Sequence, residues 1–234
     1  MMSKLLLLGD EAIGQAALDA GISGVYAYPG TPSTEIMEYV QHSKQAVEGN
    51  VHRTWSANEK TAMESAIGMS YAGKRALVCM KHVGLNVAAD PFMNSAITGA
   101  NGGLVYLIAD DPSMHSFQDE LDSRVFAKFA NILVFEPSNQ QEAYDMTYEA
   151  FAFSEKYRIP VMLRVTTRLA HSRSGVSRKA ILPQNEIKLC ENKKQFILLP
   201  GHARVFYREL LAKQPLLEKE AVSSKFNSYI DGPD

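Results

Sequence analysis

The strongest constraint on the fold of this chain is the alternation of short apolar runs with longer amphipathic segments. The apolar runs include GVYAY, ALVCM, GLVYLIA and PVMLRVT, and apolar residues recur at helical spacing in the segments between them. Parallel strands need a crossover connection, which is usually a helix. The pattern therefore predicts a doubly wound α/β fold, with a mostly parallel sheet and helices on both of its faces.

The alternating pattern weakens towards the C-terminal part of the 234-residue chain. After Thr167 the segment RLAHSRSGVSRKAILPQNE is polar and lacks a clean period. The following FILLPGHARVFYRELLAKQPLLEKEA predicts one strand and one amphipathic helix, which are too little for a second core. We therefore predict an α/β domain over residues 1–172 and a linker with a C-terminal appendage over residues 173–234.

Helix starts in this chain are predicted from capping residues. Asp10 is the expected cap of the first helix, and Asn58 that of the helix through KTAMESAIGMSYAG. Thr31 is the expected cap of a helix with Pro32 in its first turn. Ser138 and Gln141 have the spacing of a capping box. The segment KHVGLN, which follows a strand, is predicted to be a loop.

Charge and composition exclude several classes of protein. The formal net charge is −2, without the basic stripe that nucleic-acid binding requires, so no nucleic-acid partner is expected. Cys79 and Cys190 lie in different segments without the spacing of a disulfide framework or a metal site, which favours a reducing, cytoplasmic setting. The run LLLL is too short for a signal peptide, and no apolar segment is long enough to cross a membrane.

Glu59 is the first candidate functional residue. Helical spacing places it on the same stripe as Ala62, Met63, Ala66, Ile67 and Ser70, so its carboxylate should face inward. Acids in the first turn of a helix are also ordinary, because the exposed N–H groups and the helix dipole favour them. The helix pattern by itself leaves both interpretations open.

Further candidates follow the strands, because ligands of open parallel sheets bind at the carboxyl ends of the strands. The loop KHVGLN contributes Lys81, His82 and Asn86, which form either a solvated turn or a cationic clamp for a substrate carboxylate. The loop ADDPSMHS contributes Asp111 and His115 as weaker acid–base candidates. The loop GTPST lacks both common phosphate-binding patterns.

Several of these segments, taken in order, resemble a known family. They are LLLLGDEAIGQAALDAG, AYPGTPSTEI, WSANEKTAMESAIGMSYAGKRALVCMKHVGLNVAADPFM and IADDPSMHSFQDELDSR. Together they resemble the pyrimidine-binding domain of the thiamine-diphosphate-dependent 2-oxoacid:ferredoxin oxidoreductases, and among these the indolepyruvate alpha subunits. The likeness covers about residues 5–172 and is specific because several strand-end loops match in the right order.

The resemblance implies a role for Glu59 and for six further residues. Glu59 would share a proton with the N1′ atom of the cofactor's aminopyrimidine, and a dry site would strengthen that hydrogen bond. The aminopyrimidine would then be held in its reactive tautomer. The remaining implied contacts are Pro29, Val83 and Asn86 with the cofactor, and Thr31, Lys81 and His82 with an aryl 2-oxoacid.

The resemblance also implies partners outside this chain. The family's magnesium motif GDG…N and its cysteine clusters do not occur in the sequence, so no metal ligand is predicted here, and two cysteines cannot hold a [4Fe–4S] cluster. A diphosphate-binding domain or subunit with Mg²⁺, a beta subunit, iron–sulfur clusters, coenzyme A and ferredoxin would complete a homo- or hetero-oligomeric enzyme. Such an enzyme would oxidatively decarboxylate aryl 2-oxoacids to acyl-CoA. The sequence leaves open whether the chain is a truncated domain, a split subunit or a diverged copy. It also leaves two other functions open, a decarboxylase or synthase without redox chemistry and a non-catalytic assembly module.

Overall fold

The computed structural model describes residues 4–192 and 194–232. Its strands are β1 (Lys4–Leu8), β2 (Gly24–Ala27), β3 (His52–Trp55), β4 (Ala76–Lys81), β5 (Leu104–Asp110), β6 (Leu133–Phe135), β7 (Val161–Thr166) and β8 (Arg173–Ser177). Its helices are α1 (Gly9–Asp19), α2 (Thr34–His42), α3 (Lys44–Glu48), α4 (Glu59–Tyr71), α5 (His82–Val87), α6 (Ala89–Thr98), α7 (Arg124–Ala130), α8 (Gln140–Tyr157), α9 (Thr167–Ala170) and α10 (Pro200–Val222).

Six of these strands form one parallel sheet in the order β3-β2-β4-β5-β7-β6. Strands β1 and β8 form a separate antiparallel pair, in which Leu6 lies opposite Gly175. Helices connect the parallel strands, as such crossovers require. The prediction of a mostly parallel, doubly wound α/β fold is confirmed.

Two hydrophobic cores lie on opposite faces of the six-stranded sheet. Successive side chains of a strand point to opposite faces, so Leu77 and Cys79 of β4 enter one core while Val78 and Met80 enter the other. Helices α1, α2 and α8 cover the first face, and α4, α6, α7 and α10 contribute to the second. None of the described helices combines the length and apolar character that a membrane crossing requires.

The order of the parallel strands reverses between β2 and β4. From β2 the chain passes through α2 and α3 to the edge strand β3, and from β3 it returns through α4 to β4 on the other side of β2. Because α2 and α4 lie on opposite faces, the carboxyl ends of β2 and β4 form a topological switch point. Such a switch point is the usual ligand site of an open α/β sheet.

The predicted cap of α4 is confirmed, since the Asn58 side chain accepts a hydrogen bond from the N–H of Thr61 at 2.9 Å. The prediction for α1 was wrong because the chain becomes helical at Gly9, with Leu8 as the cap and Asp10 inside the first turn. The prediction for α2 was also wrong. That helix begins at Thr34 after Ser33, because residues 30–33 form a turn in which the N–H of Ser33 donates to the carbonyl oxygen of Gly30 at 2.9 Å.

The predicted capping box of α8 is displaced by one residue. Asn139, rather than Ser138, accepts a hydrogen bond from the N–H of Glu142, at 3.0 Å. The Glu142 carboxylate accepts in return from the N–H of Ser138 at 2.8 Å. Asparagine and serine are comparable caps, so the sequence pattern alone does not distinguish the two registers.

Three further segments differ from their predicted structure. The KHVGLN segment forms α5 instead of a loop, because Lys81 is the last residue of β4 and the helix starts directly at His82. No strand forms in the FILL segment within the part of the chain that the structure describes. Residues 173–177 form β8, although the surrounding sequence is polar, because β1 supplies a partner strand. The domain boundary at residue 172 stays a prediction.

Candidate functional site

The candidate site lies at the carboxyl ends of β2, β3, β4 and β5, where the strand order reverses. Four segments meet this edge: the turn after β2, the start of α4, the start of α5 and the loop after β5. Each segment carries residues that the strand-end pattern selects, so the fold collects them at one edge of the sheet.

Glu59 is the first residue of α4 and follows the capping Asn58. The five residues predicted to share its stripe, Ala62, Met63, Ala66, Ile67 and Ser70, are all buried. Glu59 itself is half-buried, whereas its place on the apolar stripe suggested a carboxylate that faces inward. The difference arises because the first turn of α4 stands at the rim of the sheet rather than over its core.

The side chain of Glu59 packs against the backbone of α5 at Gly84. A Cβ atom at position 84 would lie 2.5 Å from Cγ and 2.7 Å from Oε1 of Glu59. Real Cβ atoms do not approach other atoms so closely. The glycine therefore leaves the space that the glutamate side chain occupies.

Lys81 ends β4 and is buried, with only 5% of its surface exposed. Its Nζ donates to Oγ of Ser116 at 2.7 Å and lies 3.8 Å from the carboxylate of Asp111. The same ammonium stands 4.8 Å from the centroid of the Phe117 ring. Burial lowers the pKa of Lys81 from its usual value, and the negative charge of Asp111 opposes this change.

Asp111 is the carboxylate that neutralises this buried ammonium. Its Oδ1 accepts from the hydroxyl of Thr167 at 2.7 Å, and its Oδ2 accepts from the N–H and the hydroxyl of Ser116 at 2.7 and 2.9 Å. Burial alone would raise its pKa, but these hydrogen bonds and Lys81 outweigh that effect and lower the pKa of Asp111 to about 2. Asp111 therefore carries its charge throughout the neutral range.

The turn after β2 meets the loop after β5 through Ser116. The Ser116 hydroxyl lies 3.3 Å from the carbonyl oxygen of Thr31, and a Cβ atom at Gly30 would lie 3.4 Å from Cβ of Lys81. Pro29 and Thr31 are both exposed at this turn. Thr31 and Lys81, predicted separately from two loops, thus lie on either side of one serine.

His82 is buried at the start of α5. Its Nε2 lies 3.3 Å from the carbonyl oxygen of Asp119, and its ring meets Phe117 edge-on with centroids 6.1 Å apart. Its buried Nδ1 has no hydrogen-bond partner among the described residues. The loop after β5 therefore covers both Lys81 and His82.

The remaining predicted residues lie on the outer part of α5. Val83 is half-buried and Asn86 is exposed. Asp111 joins the Lys81 cluster, whereas His115 in the same loop is exposed. Sequence patterns did not select Ser116, Phe117 or Gly84, because a serine or phenylalanine in a polar loop and a glycine in a short segment are not signals of chemistry. The position of Ser116 and Phe117 in a loop that follows a parallel strand was the only indication.

Comparisons with known proteins agree on one family. The sequence profile of the family described as pyruvate flavodoxin/ferredoxin oxidoreductase, thiamine-diphosphate binding, matches residues 15–221. Indolepyruvate oxidoreductase subunit IorA of Archaeoglobus fulgidus is 45% identical over 98% of this chain and 37% of its own length. The protein of the same name from Thermococcus kodakarensis is 44% identical over 99% of this chain and 36% of its own length. The chain thus spans little more than a third of the curated relatives that it matches most strongly.

A solved structure has the same fold. It is the 2-oxoglutarate:ferredoxin oxidoreductase from Magnetococcus marinus, described with 2-oxoglutarate, coenzyme A and succinyl-CoA bound. It aligns with a TM-score of 0.73 and 16% identity, over 100% of this chain and 47% of that chain. At this identity the match supports the architecture alone.

Proposed function

Because the chain belongs to the thiamine-diphosphate-binding family of pyruvate flavodoxin/ferredoxin oxidoreductases, we propose that it supplies the pyrimidine-binding half of a 2-oxoacid oxidoreductase site. The complete enzyme would convert aryl 2-oxoacids such as indolepyruvate to acyl-CoA and pass the electrons to ferredoxin. When bound, thiamine diphosphate supplies the carbon nucleophile and the electron sink that decarboxylation of a 2-oxoacid requires.

One contact carries this proposal, namely that of Glu59 with Gly84. The glutamate begins a helix at the switch point of the sheet, and a side chain at position 84 would displace it. The residues present fit an aminopyrimidine, because Glu59 is a half-buried carboxylate at the carboxyl ends of the strands and can share a proton with a ring nitrogen. Glu59 would hold a proton at N1′ of that ring, and Val83, Asn86 and Pro29 would border it.

Lys81 is the proposed partner of the substrate carboxylate. It is a buried cation whose negative neighbour, Asp111, lies at 3.8 Å, while the closer contact is the neutral hydroxyl of Ser116. A substrate carboxylate could take the place of the serine and keep Asp111 as the more distant counter-charge. Thr31 and His82 border the same position and would orient the substrate by hydrogen bonds.

The choice of an aryl 2-oxoacid rests on the names of two curated relatives, 45% and 44% identical to the chain, which are indolepyruvate oxidoreductase subunits. A more distant relative, the 2-oxoglutarate synthase subunit KorA of Methanocaldococcus jannaschii, is 29% identical over 82% of this chain. The ring of Phe117 beside Lys81 and His82 gives the site an aromatic surface that suits an aryl side chain.

The proposed partners supply what this chain lacks. A diphosphate-binding domain or subunit would hold Mg²⁺ and the cofactor diphosphate, and a beta subunit, iron–sulfur clusters and coenzyme A would complete the reaction with ferredoxin. The relatives are named as subunits, which supports an assembly of more than one chain. Free Cys79 and Cys190 are consistent with our proposal that the complex works in a reducing cytoplasm.

The test is reconstitution under anaerobic conditions. The chain is combined with a diphosphate-binding partner, a beta subunit, Mg²⁺, thiamine diphosphate, coenzyme A and ferredoxin, and acyl-CoA and reduced ferredoxin are both measured. We expect both products, with kcat/KM at least tenfold higher for indolepyruvate than for pyruvate or 2-oxoglutarate. Carbon dioxide and aldehyde without reduced ferredoxin would favour the non-redox decarboxylase. Assembly without any turnover would favour the non-catalytic module.

A further inference from the structure

A second cluster of ionisable side chains lies apart from the Lys81 cluster, where α1, α2 and the turn after α9 meet. Asp10, Glu35 and His171 each direct one potential ligand atom to a common point, and these three atoms lie within 4.8 Å of one another. Within this cluster, Nε2 of His171 lies 3.4 Å from Oε1 of Glu35. The three residues come from distant parts of the sequence, which explains why sequence spacing predicts no metal ligand.

The fold brings the three elements together through a glycine. The N–H of Gly9 donates to the carbonyl oxygen of Ser172 at 3.1 Å, and a Cβ atom at position 9 would lie 2.2 Å from the carbonyl oxygen of Leu169. Only a residue without a side chain therefore lets the first turn of α1 lie on α9. This contact places Asp10, the next residue, beside His171.

Asp10 is the most deeply buried of the three residues. The residue is fully buried, and neither carboxylate oxygen has a hydrogen-bond partner among residues 4–192 and 194–232. Buried carboxylates are normally paired or bound to a metal, since an isolated buried charge is very costly. Burial raises the pKa of Asp10 well above its usual range, and the neighbouring carboxyls of Glu35 and Glu11 raise it further.

Glu35 contributes a second carboxylate to the cluster, with its Oε1 beside His171. The buried Oε2 of Glu35 also has no partner among the described residues. Glu11, in contrast, is satisfied by the N–H of Leu8 at 2.7 Å and by Arg173 at 3.6 Å. The cluster therefore combines three unsatisfied carboxylate oxygens with one imidazole nitrogen at the protein surface, where 36% of the His171 side chain is exposed.

We propose that Asp10, Glu35 and His171 bind one divalent first-row transition ion, such as Zn²⁺, which cross-links α1, α2 and the turn after α9. Ligand atoms at the Zn–N and Zn–O distance of about 2.1 Å lie about 3.4 Å apart in a tetrahedral site. The pair His171 and Glu35 already has this separation, at 3.4 Å. One imidazole with two carboxylates suits such an ion better than Mg²⁺ or Ca²⁺, which prefer oxygen ligands throughout.

The position of the ion gives it a structural role. Glu35 lies in the first turn of α2, directly after the turn that contains Pro29 and Thr31, and α9 begins at Thr167, the partner of Asp111. An ion at this point would hold the start of α2 and the end of α9 together, next to the segments that border the candidate active site. It would also stabilise the fold, because a ligand that binds only the native state raises the unfolding temperature.

The experiment uses the whole chain, freed of purification tags and stripped with a chelator. Calorimetric titration with Zn²⁺ and elemental analysis after dialysis should give one ion per chain and a raised unfolding temperature. Co²⁺ should give the visible bands of an oxygen and nitrogen site without the thiolate charge-transfer band. His171→Ala and Glu35→Gln should each weaken binding at least tenfold.

Matched controls come from the exposed face of α2, where His42→Ala and Glu38→Gln should bind Zn²⁺ as the wild type does. Circular dichroism of the stripped variants distinguishes lost ligands from lost folding. The proposal is overturned by the absence of saturable Zn²⁺ binding, by binding that survives both His171→Ala and Glu35→Gln, by equal losses in the controls, or by a thiolate band, which would assign the ion to a cysteine.

Discussion

The Glu59 side chain occupies the space that a side chain at position 84 would need, with its Oε1 only 2.7 Å from where a Cβ would stand. The contact joins the first turn of α4 to α5, two helices that follow different strands of the sheet. The contact determines where the Glu59 carboxylate can lie. The position of the proposed proton-sharing group therefore depends on Gly84, which has no functional group. Gly84→Ala tests the position of this carboxylate, and Glu59→Gln tests its acidity.

Gly84→Ala should lower cofactor-dependent turnover of the reconstituted complex at least tenfold and leave the chain folded. The new methyl group would push the flexible Glu59 side chain aside, while alanine favours a helix over glycine by about 1 kcal/mol. The measurements are steady-state rates and the urea midpoint of unfolding. Gly68→Ala is the matched control, because a Cβ at that helical glycine meets nothing within 4 Å. Full activity of Gly84→Ala would contradict the proposed position of Glu59.

Glu59→Gln should abolish turnover without loss of folding, because an amide cannot share an acidic proton with the cofactor. Loss of a general acid–base group typically costs about 10²–10⁴-fold in rate. The rate is measured in the reconstituted complex, with Glu64→Gln on the exposed side of the same helix as the control. A rate within about threefold of the wild type would rule out the assignment.

Lys81→Ala should raise KM for the 2-oxoacid more than it lowers kcat. A carboxylate clamp binds the ground state and the transition state alike, so its removal weakens uniform binding. Initial rates over a range of substrate concentrations test this, with Lys44→Ala at an exposed position as the control. An unchanged KM with a collapsed kcat would instead place Lys81 in the chemical step.

Asp111 should stabilise the fold in a pH-dependent manner. Its pKa falls from 3.8 to about 2 on folding, so its contribution is fully present above about pH 4 and is lost as the pH falls towards 2. The shift corresponds to roughly 2 kcal/mol of unfolding free energy at neutral pH.

The difference in unfolding free energy between the wild type and Asp111→Asn should therefore shrink between pH 4 and pH 2. Urea titrations at pH 7, 4, 3 and 2 measure it, and Asp231→Asn, at an exposed position, serves as the control. A difference that stays constant over this range would show that the carboxylate acts only through its shape and hydrogen bonds.

The chain alone should bind thiamine diphosphate poorly and should self-associate. The diphosphate and Mg²⁺ provide the strongest charge-assisted contacts of such a cofactor, and these contacts would belong to the partner. Tyr28, 40% exposed, lies with Val83 at the strand-end edge that the partner would cover. Isothermal titration with thiamine diphosphate and Mg²⁺ tests the first expectation, and light scattering, which gives the mass, tests the second. Micromolar binding by a strict monomer would disprove the half-site.

The sequence predicted the sheet and the edge at which its candidate residues meet. Strands such as ALVCM can be recognised in the sequence because they are buried on both faces and are therefore apolar throughout. Every residue of β4 is indeed buried. The stripe of α4 was predicted for the same reason, since Ala62, Met63 and Ala66 all enter the core. The pattern of apolar residues shows which side chains are buried, and burial is what stabilises these strands and α4.

The features that the sequence did not predict depend on partners far along the chain. Ser116 joins Thr31 to Lys81, and Gly84 makes room for Glu59, but no local pattern records either contact. The cap of α8 is Asn139 and not the predicted Ser138, because asparagine and serine are similarly good capping residues. The roles assigned to Pro29, Val83, Asn86, Thr31 and His82 stay predictions.

The antiparallel pair of β1 and β8 has a consequence for folding during synthesis. Lys4–Leu8 pairs with Arg173–Ser177, so the leucine-rich first strand emerges from the ribosome long before its partner exists. Such distant pairing is slow, because the entropy of closing the loop must be overcome before any contact compensates for it. We expect β1 to be the last strand to gain protection in pulsed hydrogen exchange, and early protection of Leu5–Leu8 would contradict this order. Until that closure, Leu7, which the folded chain buries, stays exposed to solvent.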